Sequence, residues 1–410
     1  MGSFSDLRVG GRRRRVCAAV LCALVLRVAT GEVARAAPFV PSDDEQILER
    51  LPPRTGAHWD AIHALRVAFD AEPDSALLAA QLARAYLDLF RVEGDPRLVA
   101  YAKTAIAAWA DDAAPPVEVA LQRALVAQTE HRFEAAVTDL TSVAARAPRD
   151  PQAWLTLAAM ALARGDFAAS RQACSRLLLH ADPWVAGACF AAWQAMTGHA
   201  EQAYDFLSRT LKRPDAELDA GVASWIALLA AETAASLGID EEADAHFRKA
   251  LALTAGQRPN VYSLVAYADF LLERDRAADV VVELLADAPA ADPIMLRLTR
   301  AKRRRGDSVE AELETLRYRL QLSLTGDDDT HAREGAYLAL HLLDEPEQAL
   351  AIALRNWTVQ REPIDARLVL EAALAARTPA AAQPVSDWLQ ANSVQHVELE
   401  RLQARLGEGA

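Results

Sequence analysis

The chain has 410 residues, 52% of them hydrophobic and 25% charged, with a formal net charge of −13. Only 6% are aromatic and alanine supplies much of the apolar count, so the large core this length can bury comes from close helix–helix approach rather than from strands. The acidic balance speaks against general nucleic-acid binding, because a negative surface repels phosphate backbones.

The N-terminus reads as a targeting segment. Arg8 and the run Arg12-Arg13-Arg14-Arg15 precede an apolar stretch, Val16 to Leu26, and small residues at Ala34-Arg35-Ala36 stand before Ala37. This is the three-part pattern of a secretory signal peptide, expected over residues 1–36; the apolar stretch is short for a bilayer span. An uncleaved anchor is the alternative. Twin-arginine export is not favoured, since Val16-Cys17 follows the arginines. Neither is a lipoprotein site, since Cys17 and Cys22 lack a small residue directly before them.

Cleavage leaves 37 basic and 55 acidic groups, a net of −18. No later apolar run is long and uncharged enough for a membrane helix. The mature protein is expected to be periplasmic or secreted. Four lysines against 40 arginines, with abundant alanine, suggest a GC-rich bacterial genome.

The domain plan is a helical cap over 37–72, a repeat region over 73–363 and a second cap over 364–410. Within the repeat region a small residue recurs after a short polar break, at Ala136, Ser170, Ala203, Ala243, Ala278, Ala311 and Ala349. The intervals are 34, 33, 40, 35, 33 and 38. A helix-turn-helix unit of that length cannot bury its apolar face alone, so such units stack. Breaks are expected at Glu130-His131, Arg164-Gly165-Asp166, Gly198-His199, Gly238-Ile239-Asp240, Glu273-Arg274-Asp275, Gly306-Asp307 and Asp344-Glu345-Pro346. Proline-bearing turns between units are expected at Pro148, Pro183, Pro259, Pro293 and Pro363, where a missing amide proton in a first helical turn costs little. Arg91 to Pro96 reads as an insertion, and longer loops are expected at Lys212 to Leu218 and Thr325 to Thr330. Asp327-Asp328-Asp329 lacks the ligand spacing of a calcium loop and reads as an acidic turn.

Trp154, Ala158, Phe167 and Ser170, with Pro148 before them, resemble in order the pattern of the tetratricopeptide repeat family. Arg132-Phe133, Ala136 and Pro148 match in the preceding unit. The resemblance covers roughly residues 74–362. It implies an all-α, right-handed superhelical solenoid of helix-turn-helix repeats with helical caps. It also implies a ligand groove lined by the first helices, presenting Trp225, Leu228 and Glu232, then Asn260, Ser263, Tyr267 and Phe270, then Leu296, Arg300, Arg303 and Arg304. Trp154, Trp184 and Trp357 lie near repeat junctions and read as structural.

Two readings of the groove stay open. Arg297, Arg300 and Arg304, at i, i+3 and i+7, share a helix face and could grip an acidic segment or the C-terminus of a partner. The same face could instead be a solvated surface paired with Asp307 and Glu310. Tyr267 and Phe270 likewise face either a ligand or the core. The lysine- and asparagine-based carboxylate clamp of some family members is absent. Cys174 and Cys189, the two cysteines left after cleavage, are either a disulfide or two buried thiols.

Nine histidines are scattered singly, and no nucleophile elbow, phosphate loop or zinc-type His pair occurs. The sequence calls for no cofactor, metal or catalytic residue. The reading is a non-catalytic interaction scaffold or adaptor of a bacterial cell envelope that binds a protein or peptide partner, with no nucleic acid. An envelope assembly factor for polysaccharide export or cell-wall synthesis is one alternative. An enzyme whose site forms only in three dimensions is the other.

Overall fold

A computed structural model describes residues 56–213, 217–254, 259–274, 278–326 and 329–408. The signal segment, the start of the N-terminal cap and Asp327-Asp328 lie outside these residues.

The described residues are all-α, with two short 3-10 turns and no strand. Helix α1 (Ala57–Ala71) buries only Ile62 and lies on α2 (Ala76–Glu93), which pairs with α3 (Pro96–Ala105). Antiparallel pairs follow: α4 (Val117–Thr129) with α5 (Phe133–Arg146), α6 (Pro151–Ala163) with α7 (Phe167–Leu177), and α8 (Pro183–Ala195) with α9 (Ala200–Thr210). Next come α10 (Ala220–Ser236) with α11 (Asp240–Leu253), and α12 (Val261–Glu273) with α13 (Ala278–Leu285). Helix α14 (Asp292–Arg305) is followed by α15 (Glu310–Arg319) and α16 (Gln321–Thr325), then α17 (Ala332–His341) pairs with α18 (Pro346–Trp357). The last helices are α19 (Pro363–Ala375), α20 (Gln383–Ala391) and α21 (Val397–Glu408).

Stacking is repeat-like. Each second helix contacts the next first helix, and first helices touch one another, α6 on α8, α8 on α10, α10 on α12, α12 on α14, α14 on α17 and α17 on α19. No described helix is long and apolar enough to cross a membrane.

The local causes are those the spacing predicts. Asp150, Asp182, Asp219 and Asn260 cap α6, α8, α10 and α12 by accepting from a first-turn amide. The backbone reverses through left-handed residues at His131, Gly165, Gly198, Gly238, Gly306 and Asp344, within the expected breaks. Ala136, Ala203, Ala243 and Ala349 are 0% exposed and Ser170 is 1%. At these crossings a larger side chain would hold the paired helices apart.

The register slips where expected small residues fail to pack. Ala278 is half-buried and Ala311 is exposed. After α14 the second helix breaks at Leu320, and Val309, Leu316 and Leu320 bury in place of the alanine. The supposed insertion at Arg91 to Pro96 is mostly helix as well. Helix α2 runs to Glu93, Gly94 caps it at φ 63°, and Asp95 caps α3.

The stack also meets itself over long sequence distances. Arg361 N donates to Ala163 O at 2.7 Å, and Ala200 N donates to Gln395 Oε1 at 2.9 Å. Leu399, Leu402 and Leu406 hold α21 in a core shared with α17, α18 and α19.

Candidate functional site

The predicted groove residues divide into core and internal ion pairs. Tyr267 (4% exposed) and Phe270 (3%) pack on Phe247 of α11, with ring centroids 5.1 and 5.3 Å apart. Their shared face points at the second helix, and Tyr267 Oη donates to Asp244 at 2.8 Å. Trp225 is half-buried against the core of α8, α9 and α10. Glu232 accepts from Tyr262 Oη at 2.5 Å, and desolvation pushes its carboxyl up to about 7.

The arginines are engaged too. Arg297 is 3% exposed and bidentate to Asp269, Nε to Oδ1 at 3.0 Å and Nη2 to Oδ2 at 2.7 Å, with its guanidinium 4.1 Å from the centre of the Tyr337 ring. Burial would push the Asp269 carboxyl up, but Arg297, Arg367 and Arg300 together outweigh it and hold it below its ordinary value. Arg300 donates to Tyr337 Oη at 3.0 Å and Arg304 to Leu272 O at 2.7 Å. Lys302 pairs with Glu312, Arg303 with Asp344 and Arg305 with Asp307. The arginines expected to face an acidic ligand thus have partners within the chain. Asp269 and Tyr337, on neighbouring first helices, meet Arg297, so that guanidinium is taken up within the stack.

The same pattern continues toward the C-terminus at residues the sequence reading passed over. Arg333 donates to Asp365 at 2.7 and 2.8 Å and to Glu362 at 2.5 Å, and Asn356 Nδ2 donates to Asp365 at 2.7 Å. Arg367 pairs with Glu273, and His341 Nε2 lies 3.3 Å from Glu371. Burial first, then Arg300 and Arg297, push His341 well below its ordinary value, so it stays neutral. Arg333 with Asp365 and His341 with Glu371 join α17 to α19 at about one-repeat spacing, whereas Arg367 with Glu273 joins α19 to the more distant α12. The groups of three or more His, Cys, Asp or Glu that a metal would need are absent among the described residues.

An open concavity among the described residues lies elsewhere. A cleft of about 590 Å³ runs along α6 between the second helices α5 and α7. Its walls are Val137, Thr141, Ala144 and Ala145 on one side and Ala169, Gln172 and Ala173 on the other, with Trp154, Leu157 and Ala161 as the floor. It exists because the walls are largely alanine. Trp154 Nε1 donates to Pro148 O at 2.9 Å, which fixes the indole, and Arg176 lies 5.9 Å from its ring centre. Arg171 over Trp193, at 5.6 Å, and Arg213 over Trp184, at 5.2 Å, repeat that stacking nearby. Leu178 and Leu179, just after Arg176, are 59% and 68% exposed. The sequence signal that could have found this surface is the run of alanines flanking a tryptophan read only as structural.

Cys174 and Cys189 form a disulfide with Cα atoms 5.7 Å apart, tying α7 to α8 beside the cleft.

No family model matches the chain, and no curated protein matches it in sequence. Solved structures similar to it include yeast Tom70, at 12% identity and a TM-score of 0.32 over 86% of this chain and 84% of that one. Naa15/Naa10 bound to HypK-THB matches at 13% identity and 0.24, over 85% of this chain and 63% of that one. The TPR domain of P58(IPK) matches at 14% and 0.20, over 78% and 94%.

Proposed function

We propose that the protein is a non-catalytic interaction scaffold, exported to a bacterial cell envelope, that holds an extended segment of a partner protein. The cleft along α6 carries this reading. From Trp154 to Arg164 the floor spans about 15 Å at 1.5 Å per helical residue, room for roughly four or five extended residues at about 3.3 Å each. Its apolar floor supplies contact area, and Arg164, Asp166 and Gln172 at its rim supply orientation. Export is supported by the basic and apolar N-terminal pattern and by the disulfide, a bond that persists in oxidising compartments.

The test is site-directed photo-crosslinking in the intact protein. A crosslinking residue at Ala145 or Gln172 should capture a discrete partner that Ala169→Phe, filling the cleft, abolishes. The same residue at Glu201, outside the cleft, should capture none. Capture that is equal at all three sites, or that survives Ala169→Phe, overturns the reading. The envelope fraction should also contain a mature form whose N-terminus is Ala37.

A further inference from the structure

The cleft along α6 lies in a basic island of an acidic chain. Residues 140–200 hold five arginines and no lysine against three aspartates and no glutamate, a net of +2 where the whole chain carries −13. All three of those carboxylates cap helices. Asp150 accepts from Gln152 N, Asp166 from Ala169 N and Asp182 from Trp184 N. Two of the five arginines are also engaged, Arg146 with Pro115 O at 2.7 Å and Arg164 with Glu134 at 2.9 Å. Arg149, Arg171 and Arg176 are exposed, and none of them meets a carboxylate among the described residues.

The charge is uneven along the cleft. At the Arg164 end the guanidinium is paired and Asp166 is turned to the first amides of α7. At the Trp154 end the cations are open. Arg176 lies 5.9 Å from the centre of the Trp154 ring, and Arg149 directly follows Pro148, whose carbonyl holds the indole. A guanidinium lying over a ring keeps the edge of its donor fork free for a carboxylate, with which it pairs in two parallel hydrogen bonds. Leu178 and Leu179, 59% and 68% exposed, extend the apolar surface beyond Arg176.

We propose that the occupant of the α6 cleft is an acidic segment of a partner protein. A large apolar side chain enters between the alanine walls over Leu157 and Ala161, and neighbouring carboxylates meet Arg176 and Arg149 beyond Trp154. The assignment rests on the α6 cleft being a partner-binding surface. Charge complementarity selects a short segment over a long polyanion or an anionic bilayer. Either of those would extend past the island onto the rest of the chain, which carries −15 and repels it.

The probe is a library of random twelve-residue peptides displayed on phage and selected on the full-length protein at low salt. Clones whose binding Ala169→Phe abolishes should share a large apolar residue with Asp or Glu close by. A synthetic peptide of the commonest such clone should bind protein with Arg149→Gln and Arg176→Gln at least tenfold more weakly by calorimetry. The same peptide with its acids changed to amides should bind the wild type as weakly. A second readout uses the wild type alone. Raising salt from about 50 to about 300 mM should weaken the acidic peptide at least fivefold and leave the amide form unchanged. Cleft-dependent clones without acids, or equal affinity for the wild type and the glutamine variant, overturn the acidic assignment and leave the cleft standing as a partner surface. Clones that are all indifferent to Ala169→Phe overturn both. Co-sedimentation with phosphatidylglycerol vesicles that the two glutamine changes abolish assigns the arginines to a lipid surface and overturns the proposal.

Discussion

Two groups of basic side chains in this protein behave in opposite ways. Between α14 and its neighbours, Arg297, Lys302, Arg303 and Arg305 each meet a carboxylate, and Arg300 and Arg304 meet a hydroxyl and a carbonyl. On α7, no described carboxylate pairs with Arg171 or Arg176, which lie over half-buried indoles. The difference is set by what stands one repeat away. Asp269 precedes Arg297 by 28 residues and faces it across adjacent first helices, whereas the second helix α7 borders the cleft. Arginine in the first setting fixes the stack, and in the second it remains available.

The contrast can be broken by mutation. The largest effect is expected at Arg297→Ala, which strands Asp269 in the interior and should cost about 3–5 kcal/mol in urea unfolding. Replacing both, Arg297→Met with Asp269→Leu, should recover most of that loss; no recovery would mean the pair does more than neutralise itself. Next, Cys174→Ser with Cys189→Ser opens a loop of sequence separation 15 and should cost about 3 kcal/mol. Reductant should lower the melting temperature of the wild type and leave that of the double variant unchanged.

Acid should act through His396. Burial first, then Arg367 and Arg274, push its imidazole down from 6.5 to about 3. The unfolded state therefore takes up the proton first. The stability due to the neutral imidazole is present above pH 6.5 and is lost as pH falls toward 3. Between pH 6.5 and pH 5 its share of the loss should be about 2 kcal/mol, and His396→Asn should remove that share while leaving the one due to His341. The smallest effect on stability is expected at Arg176→Ala, within about 1 kcal/mol for an exposed cation over a ring. If Arg176 belongs to a binding surface, crosslinking at Gln172 should fall all the same. A large stability loss there would erase the distinction between the two groups.

Much of the fold was legible because it is periodic. The buried Ala136, Ser170, Ala203, Ala243 and Ala349 answer a local packing demand that recurs, and the left-handed turns answer another. Ala311 misled because the α15–α16 break substitutes leucine packing for a close crossing, a choice made by tertiary context. The groove was the harder reading. Helical spacing gives Arg297, Arg300 and Arg304 one face, but a single helix cannot say which carboxylate its neighbour will offer. The cleft left fainter traces still, since it is made by side chains that are small. Contacts such as Gln395 with Ala200 leave no periodic signal at all.

Those last contacts change how the molecule should come apart. A linear array of repeats, each touching only its neighbours, frays from its ends and melts in stages. Here Ala200 is bonded to a residue 195 positions later, and Arg361 to Ala163. Such pairings raise the contact order and couple distant repeats, so folding should be slower and more nearly all-or-none than for an open array of the same length. Deleting the last helices would then be felt in the middle of the molecule, and not only at its end.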